Sequence, residues 1–353
     1  MSKYILPAVM GILLFAACRN QPPPPPGTPV LPPAAPTPPV ATPAPPQPPL
    51  APPQVQAVPT RPVQLGRPLA EAVDFDPAPL ESYVTNGYAL TGYFETRFED
   101  TAYAALYLEQ LPNPELEGEE ALPALVFVRF EENRAELQYP DYLNEGIEID
   151  PAGWRDLNGD SAPDLPVLFR GEPDHWRLFS VDSDGLVVDL LVEWLSGSAA
   201  PTELRDFDGD GLFEAKIADF SWQGWAGLCP ECSPQAFRIV AWHPDKRIYS
   251  DFSARYLPLY LAEIDRHTQA LNATFGQPLN AQTVLGPAVS LLLAYDYSGQ
   301  RLQGWEAFWQ LTDPSNWSET PPPDLAQLDA ARAMLARQFE ANRPFLPEEE
   351  PGG

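Results

Sequence analysis

The sequence predicts an α+β protein, in which a β-rich repeat domain over residues 70–252 precedes a helical subdomain over residues 253–345. One acidic pattern occurs twice, beginning at Asp156 and at Asp206, and each copy leads into a strand-like run of apolar residues. After about Ser253 the apolar residues recur instead at helical spacing, three and four residues apart. These observations predict β-hairpin units followed by helices.

The composition narrows the range of functions. The chain has 353 residues and a formal net charge of −28, and its only lysines are Lys3, Lys216 and Lys246. Such a charge repels phosphate backbones and anionic lipid head groups, so it disfavours nucleic-acid binding. Because 44% of the residues are hydrophobic, the chain is not a disordered acidic tail.

The first residues are typical of an export signal. Lys3 precedes a short apolar run over residues 4–14, which is too short to cross a bilayer. Phe15-Ala16-Ala17-Cys18 resembles a bacterial lipobox, although that motif usually has leucine where Phe15 stands. The resemblance implies that residues 1–17 are removed and that Cys18 is lipidated, which anchors the protein outside the cytoplasm. Arg19 rather than aspartate follows Cys18, which favours the outer membrane or the cell surface. A plain signal peptide is the alternative.

Residues 18–66 are predicted to be a disordered tether. Nearly half of the 46 prolines lie between Pro22 and Pro68. Proline fixes φ and lacks an amide proton, so this stretch favours extended polyproline II. At about 3.1 Å per residue it could span roughly 150 Å. The alternative is a ligand for an aromatic groove.

Cys229 and Cys232 are the two remaining cysteines. Outside the cytoplasm such a pair tends to be oxidised, and the glycines and prolines around it predict a loop between strands. A redox-active pair should instead open a helix, and a zinc site needs further ligands. A structural disulfide is the favoured interpretation.

The acidic repeats follow the pattern D-x-[DN]-x-D-[GS]-x-x-[DE], which is typical of calcium loops. Alternating acids in a tight turn direct several oxygens towards one point, and calcium binds six to eight oxygens. The ninth residue closes the shell and the seventh offers its carbonyl. The candidate ligands are Asp206, Asp208, Asp210, the Leu212 carbonyl and Glu214 in one loop, and Asp156, Asn158, Asp160, the Ala162 carbonyl and Asp164 in the other.

The sequence predicts one or two structural Ca²⁺ ions, with weaker binding at Asp156–Asp164. There Ser161 occupies the sixth position, where glycine allows a positive φ. An EF-hand does not fit, because its twelfth-position glutamate is replaced by Val167 in one loop and Ile217 in the other. An acidic turn without an ion is the alternative.

The loops and the strands after them resemble the calcium loops of FG-GAP and VCBS-type β-repeats. This resemblance implies propeller-blade-like units of about 50 residues. A degenerate unit without a cation is expected around Asp100. Three units over about 88–252 are fewer than the four blades of the smallest usual propeller, so we expect an incomplete array.

Other elements are also predicted from the pattern. Trp176–Val181 and Leu186–Trp194 form a hairpin around the turn Asp182–Gly185, and helices occur near 284–311 and after Asp324. The tail 346–353 is expected to be disordered.

No local motif supports catalysis. His175, His243 and His267 lie far apart without metal-ligand spacing, so enzymatic activity is left open but disfavoured. The sequence favours a lipid-anchored, calcium-stabilised binding or scaffold protein of a bacterial envelope, with an envelope protein or glycan as partner. The alternatives are an exported hydrolase that cleaves glycan or cell-wall material with paired carboxylates, and an assembly or inhibitor protein whose acidic face steers a basic partner.

Overall fold

The structure is a computed structural model that describes residues 61–111, 122–131, 134–143, 146–274, 281–313 and 325–341. The predicted signal peptide, Cys18, the acidic tail and Asp324 lie outside these residues, as does the tether as far as residue 60. Every helix within the described ranges is too short or too polar to cross a membrane.

Three antiparallel sheets follow one another along the chain, and within each sheet the spatial order of strands equals their sequence order. The first sheet contains β1 Arg67–Pro68, β2 Tyr88–Phe98, β3 Thr101–Gln110, β4 Ala124–Glu131 and β5 Arg134–Tyr142. The second contains β6 Gly146–Ile149, β7 Asp164–Arg170, β8 His175–Val181 and β9 Val187–Asp189. The third contains β10 Ala199–Arg205, β11 Glu214–Asp219, β12 Ala236–His243 and β13 Ile248–Asp251. The sheets do not close into a barrel, which confirms the α+β class with blade-like β-units.

The sheets are held face to face because side chains alternate along each strand. In β4, Val126 and Val128 point into a core with the short helices α1 Leu69–Ala72 and α2 Glu81–Thr85. Phe127 points the other way and packs against Phe179 of the second sheet. Both faces of the first sheet are therefore buried, which explains its almost continuous apolar strands.

The helical region completes the fold. Its helices are α3 Leu257–Thr274, α4 Ala281–Tyr297, α5 Arg301–Leu311 and α6 Leu325–Ala341. They share one core with Ile239 of β12 and with Trp222 and Trp225 from the β11–β12 connection. Helix α4 approaches that connection so closely that a Cβ atom at Gly286 would lie 1.9 Å from the Cys232 carbonyl oxygen. The helices therefore pack against the third sheet.

Two boundaries differ from the sequence prediction. Strand β9 ends at Asp189, and residues 192–194 form a 3₁₀ turn instead of continuing the strand to Trp194. The last six residues of the predicted tether are described, and they lie against the first sheet. The Arg61 amide donates to Glu95 Oε2 at 3.0 Å, and its guanidinium carbon lies 4.2 Å from the centre of the Phe130 ring.

The predicted disulfide is present. Cys229 and Cys232 are bonded to each other in a short 3₁₀ turn between β11 and β12. Replacing both cysteines by alanine should lower the free energy of unfolding by about 2 kcal/mol, since even a short cross-linked loop restricts the unfolded chain. Urea denaturation of the full chain with and without a thiol reductant checks this. The wild type should lose stability on reduction, whereas a reductant-sensitive double variant would contradict the assignment.

Candidate metal centre

The two acidic repeats occupy the same place in their sheets. The first acidic loop, Asp156–Asp164, joins β6 to β7, and the second acidic loop, Asp206–Glu214, joins β10 to β11. The ninth residue of each loop pairs with the arginine before the loop, Arg155 with Asp164 and Arg205 with Glu214. In the first sheet, only residues 99 and 100 connect β2 to β3. The β2–β3 connection is therefore a two-residue turn, too short to form a nine-residue acidic loop.

The second acidic loop is organised by hydrogen bonds from backbone amides to its own carboxylates. Asp206 accepts two of them, one on each oxygen, at 2.6 and 2.9 Å. Asp208 accepts one at 3.2 Å and Asp210 one at 2.8 Å. The amide donors are Gly209 and Gly211 for Asp206, Asp210 for Asp208, and Leu212 for Asp210. These bonds hold the three acids on one side of the turn.

The first acidic loop repeats this arrangement position by position. Asp156 accepts two amide hydrogen bonds at 2.7 and 3.0 Å, and Asn158 and Asp160 accept one each at 2.9 Å. The donors are Gly159 and Ser161 for Asp156, Asp160 for Asn158, and Ala162 for Asp160. The shared spacing therefore gives one backbone conformation twice.

The ninth position closes each loop on its second residue. Asp164 Oδ2 accepts from the Leu157 amide at 2.8 Å, and Glu214 Oε2 accepts from the Phe207 amide at 2.8 Å. Both carboxylates are buried, with 0% and 2% of their surface exposed. Each anchors the loop to the start of the following strand.

The fourth and sixth residues of each loop have left-handed backbone angles. The sixth position has φ 93° at Gly211 and φ 72° at Ser161. The sequence prediction that Ser161 occupies a position suited to glycine is confirmed. A non-glycine side chain at a left-handed position lowers the free energy of unfolding by about 1–2 kcal/mol. Glycine lowers it by about 0.5–1 kcal/mol, because glycine loses more backbone entropy on folding.

Ser161→Gly should therefore raise the free energy of unfolding by about 0.5–1 kcal/mol. Ser183, in the turn Asp182–Gly185, is exposed and has no positive φ, so Ser183→Gly is a matched control that should give no gain. Urea denaturation of both variants checks this. A loss of stability in Ser161→Gly would mean that its hydroxyl contributes more than its backbone costs.

The second acidic loop forms a cluster that could bind a metal ion. One carboxylate oxygen from each of Asp206, Asp208 and Asp210 lies within 4.8 Å of the other two. Asp206 is half-buried and the other two acids are exposed. Burial, and then the charges of Asp210 and Asp206, raise the pKa of Asp208. Oxygen donors crowded in this way suit a hard divalent cation.

The first acidic loop offers a different indication. Asp164 Oδ1 is buried and has no hydrogen bond of normal geometry within the described residues, although the Ser180 side chain is close enough to stabilise the charged carboxylate. Burial raises the pKa of Asp164 to about 8 and that of Glu214 to about 7, and the other acids of each loop add to the shift. Burying a charged carboxylate is costly even with such partners, and a cation would offset part of that cost. The three aspartates of the second acidic loop could therefore hold a divalent cation, whereas Asp156, Asp160 and Asp164 do not form such a cluster among the described residues.

The remaining predicted or excluded sites behave as turns or as core. Asp182 Oδ1 accepts from the amides of Asp184 and Leu186 and forms an ordinary turn. His175, His243 and His267 lie on three different elements, β8, β12 and α3. Burial lowers the pKa of His267 to about 4, so its imidazole is neutral at pH 7.

Two tyrosines beside the loops were not predicted as part of the site. Tyr249 of β13 donates to the Phe213 carbonyl at 3.0 Å, and burial followed by the charges of acids from both loops raises its pKa. Burial and then the charge of Glu214 raise the pKa of Tyr256. Both residues lie 35 or more positions after the loops, so no local pattern connects them to the acids.

In comparisons with protein-family models, curated proteins and solved structures, nothing matches this chain.

Proposed function

We propose that this chain is a lipid-anchored, extracytoplasmic binding or scaffold protein of a bacterial envelope, and that calcium in its two acidic loops stabilises the β-domain. The observation that carries the calcium part is the cluster Asp206, Asp208 and Asp210, within a loop whose hydrogen bonds recur at Asp156–Asp164. The loops connect strands that hold the stacked sheets together. An ion there would stabilise the fold rather than perform chemistry.

The anchor part of the proposal is supported by the sequence alone. The apolar run over residues 4–14 and the segment Phe15–Cys18 are the features of an exported lipoprotein, and the proline-rich segment after them suits a spacer. Metabolic labelling with a palmitate analogue in a bacterial host should mark the wild type but not Cys18→Ala. Equal labelling of both would remove the anchor from the proposal.

A hydrolase is the second candidate, because Asp164 and Glu214 are buried carboxylates with raised pKa values, as general acids require. Each of them, however, is held by a backbone amide inside its own loop. A cavity of about 720 Å³ lies elsewhere, beside β4 and β5, and its lining includes Arg129, Glu131 and Glu136. Arg129 forms an ion pair with each glutamate, at 2.9 and 2.6 Å, so both carboxylates are held in surface ion pairs.

Calorimetric titration of the full chain with calcium tests the proposed function. We expect binding heat that is reduced in Asp208→Asn, which removes one charge from the exposed cluster but keeps an oxygen for the Asp210 amide. Asp182→Asn is the matched control, because Asp182 also accepts amides in a turn but lies outside both loops. No heat with the wild type would reduce both loops to acidic turns and would favour the hydrolase.

A further inference from the structure

The two acidic loops are in direct contact with each other. The Phe213 amide of the second acidic loop donates to the Leu157 carbonyl of the first at 2.7 Å. The Leu212 side chain packs over Gly159, where a Cβ atom would lie 3.0 Å from Leu212 Cδ2. Seventh and eighth residues of one loop thus touch second and fourth residues of the other.

Phe213 is fixed from several sides. Its amide is bonded to the first acidic loop, and its carbonyl accepts from the buried Tyr249 hydroxyl at 3.0 Å. The guanidinium carbon of Arg155, the residue before the first loop, lies 5.4 Å from the centre of the Phe213 ring. A change in the backbone at Phe213 must therefore disturb the first acidic loop or β13.

We propose that the two acidic loops bind their cations cooperatively, with Leu212 and Phe213 as the coupling contact. This inference rests on the proposed calcium function. Leu212 is the seventh-position residue, whose carbonyl is a candidate ligand. An ion that fixes this carbonyl also fixes the side chain over Gly159 and the amide that bonds to Leu157.

The coupling acts equally in the other direction, because linkage between two binding sites is reciprocal. An ion in the first acidic loop orders Leu157 and Gly159, which form the surface that Leu212 and Phe213 contact. In the first loop Asp164 is fully buried, and its carboxylate accepts from the Leu157 amide and from the Ser180 side chain, so a cation there would offset the remaining cost of burying that charge. Repulsion between two cations opposes the coupling, but salt screens it over about 8 Å at physiological ionic strength.

Calcium titration of the full chain followed by NMR tests the inference, because the amide signals of Gly159 and Gly209 report the two loops separately. Asp208→Asn weakens the second loop and Asp160→Asn weakens the first, and neither residue lies at the contact. We expect each variant to lower calcium affinity at the other, unaltered loop about fivefold or more, because the coupling acts in both directions.

Leu212→Ala then removes the coupling contact while it keeps the backbone carbonyl and every carboxylate. In this background each loop variant should leave the calcium affinity of the other loop almost unchanged. The same result is expected in high salt, where repulsion between the ions is screened. Leu186→Ala is the matched control, because Leu186 is a similarly exposed leucine in the β8–β9 turn. It should leave the coupling intact.

The possible results separate the two proposals. Two binding events, each weakened by the variant in the other loop in a way that disappears in Leu212→Ala, support the coupling. Two independent events, or binding at one loop only, overturn the coupling and leave calcium binding in place. An absence of calcium binding at either loop overturns the proposed function and the coupling together.

Discussion

Removing calcium with a chelator should lower the free energy of unfolding of the full chain by about 3 kcal/mol relative to the protein in saturating calcium. A ligand that binds only the folded state stabilises it by about 2.7 kcal/mol at a hundred times its dissociation constant. In the folded chain, backbone amides of each loop donate hydrogen bonds to its acidic side chains and hold them close together. The unfolded chain lacks this arrangement, so calcium should bind it weakly.

Urea denaturation followed by tryptophan fluorescence measures this effect. Asp208→Asn should lose part of the calcium-dependent stability, whereas Asp182→Asn, outside both acidic loops, should retain all of it. Magnesium should replace calcium poorly, because it is smaller and demands near-octahedral geometry. A denaturation midpoint that is the same in calcium and in chelator would contradict a structural ion.

Replacing Arg177 by methionine should lower the free energy of unfolding by about 3–5 kcal/mol, the cost of leaving a buried charge without its partner. Arg177 donates to Asp189 Oδ2 and to the Tyr139 hydroxyl, each at 2.7 Å. Its guanidinium carbon also lies 4.9 Å from the centre of the Phe179 ring. Only 10% of the arginine side chain and 3% of the aspartate side chain are exposed.

Arg170→Met is the matched control, because Arg170 pairs with Glu148 and Asp174 at the surface, where such pairs contribute about 0–1 kcal/mol. The double variant Arg177→Met with Asp189→Asn should recover part of the loss, since no buried charge then remains. Thermal or urea denaturation measures all three. Equal losses for Arg177→Met and Arg170→Met would show that Arg177 is not buried in solution.

The strands and loops of the second and third sheets were predictable because their signals are local. Short apolar runs mark β7, β8, β11 and β12, and the acidic pattern places the amide hydrogen bonds of each loop within nine residues. Ser161 is an example: its positive φ follows from its place in the repeat. The Cys229–Cys232 bond is local in the same sense.

Other features depend on residues that are distant in the sequence. Arg177 forms its ion pair with Asp189 and donates a hydrogen bond to Tyr139 on the neighbouring sheet. The first sheet begins with the two-residue strand β1, which has no sequence pattern of its own. The predicted length of β9 was wrong, because the strand ends at Asp189 and the chain forms a 3₁₀ turn at Val192–Trp194. Local propensity cannot report such packing.

By itself, the sequence determined the α+β class, with strands before helices, and the left-handed sixth position of each acidic loop, because these depend on neighbours within a few residues. Only the tertiary structure decided that the two loops touch through Leu212 and Phe213, and that the helices share a core with Ile239. Such contacts follow from how the sheets stack to bury both of their faces, and that stacking joins residues about 50 positions apart in the sequence.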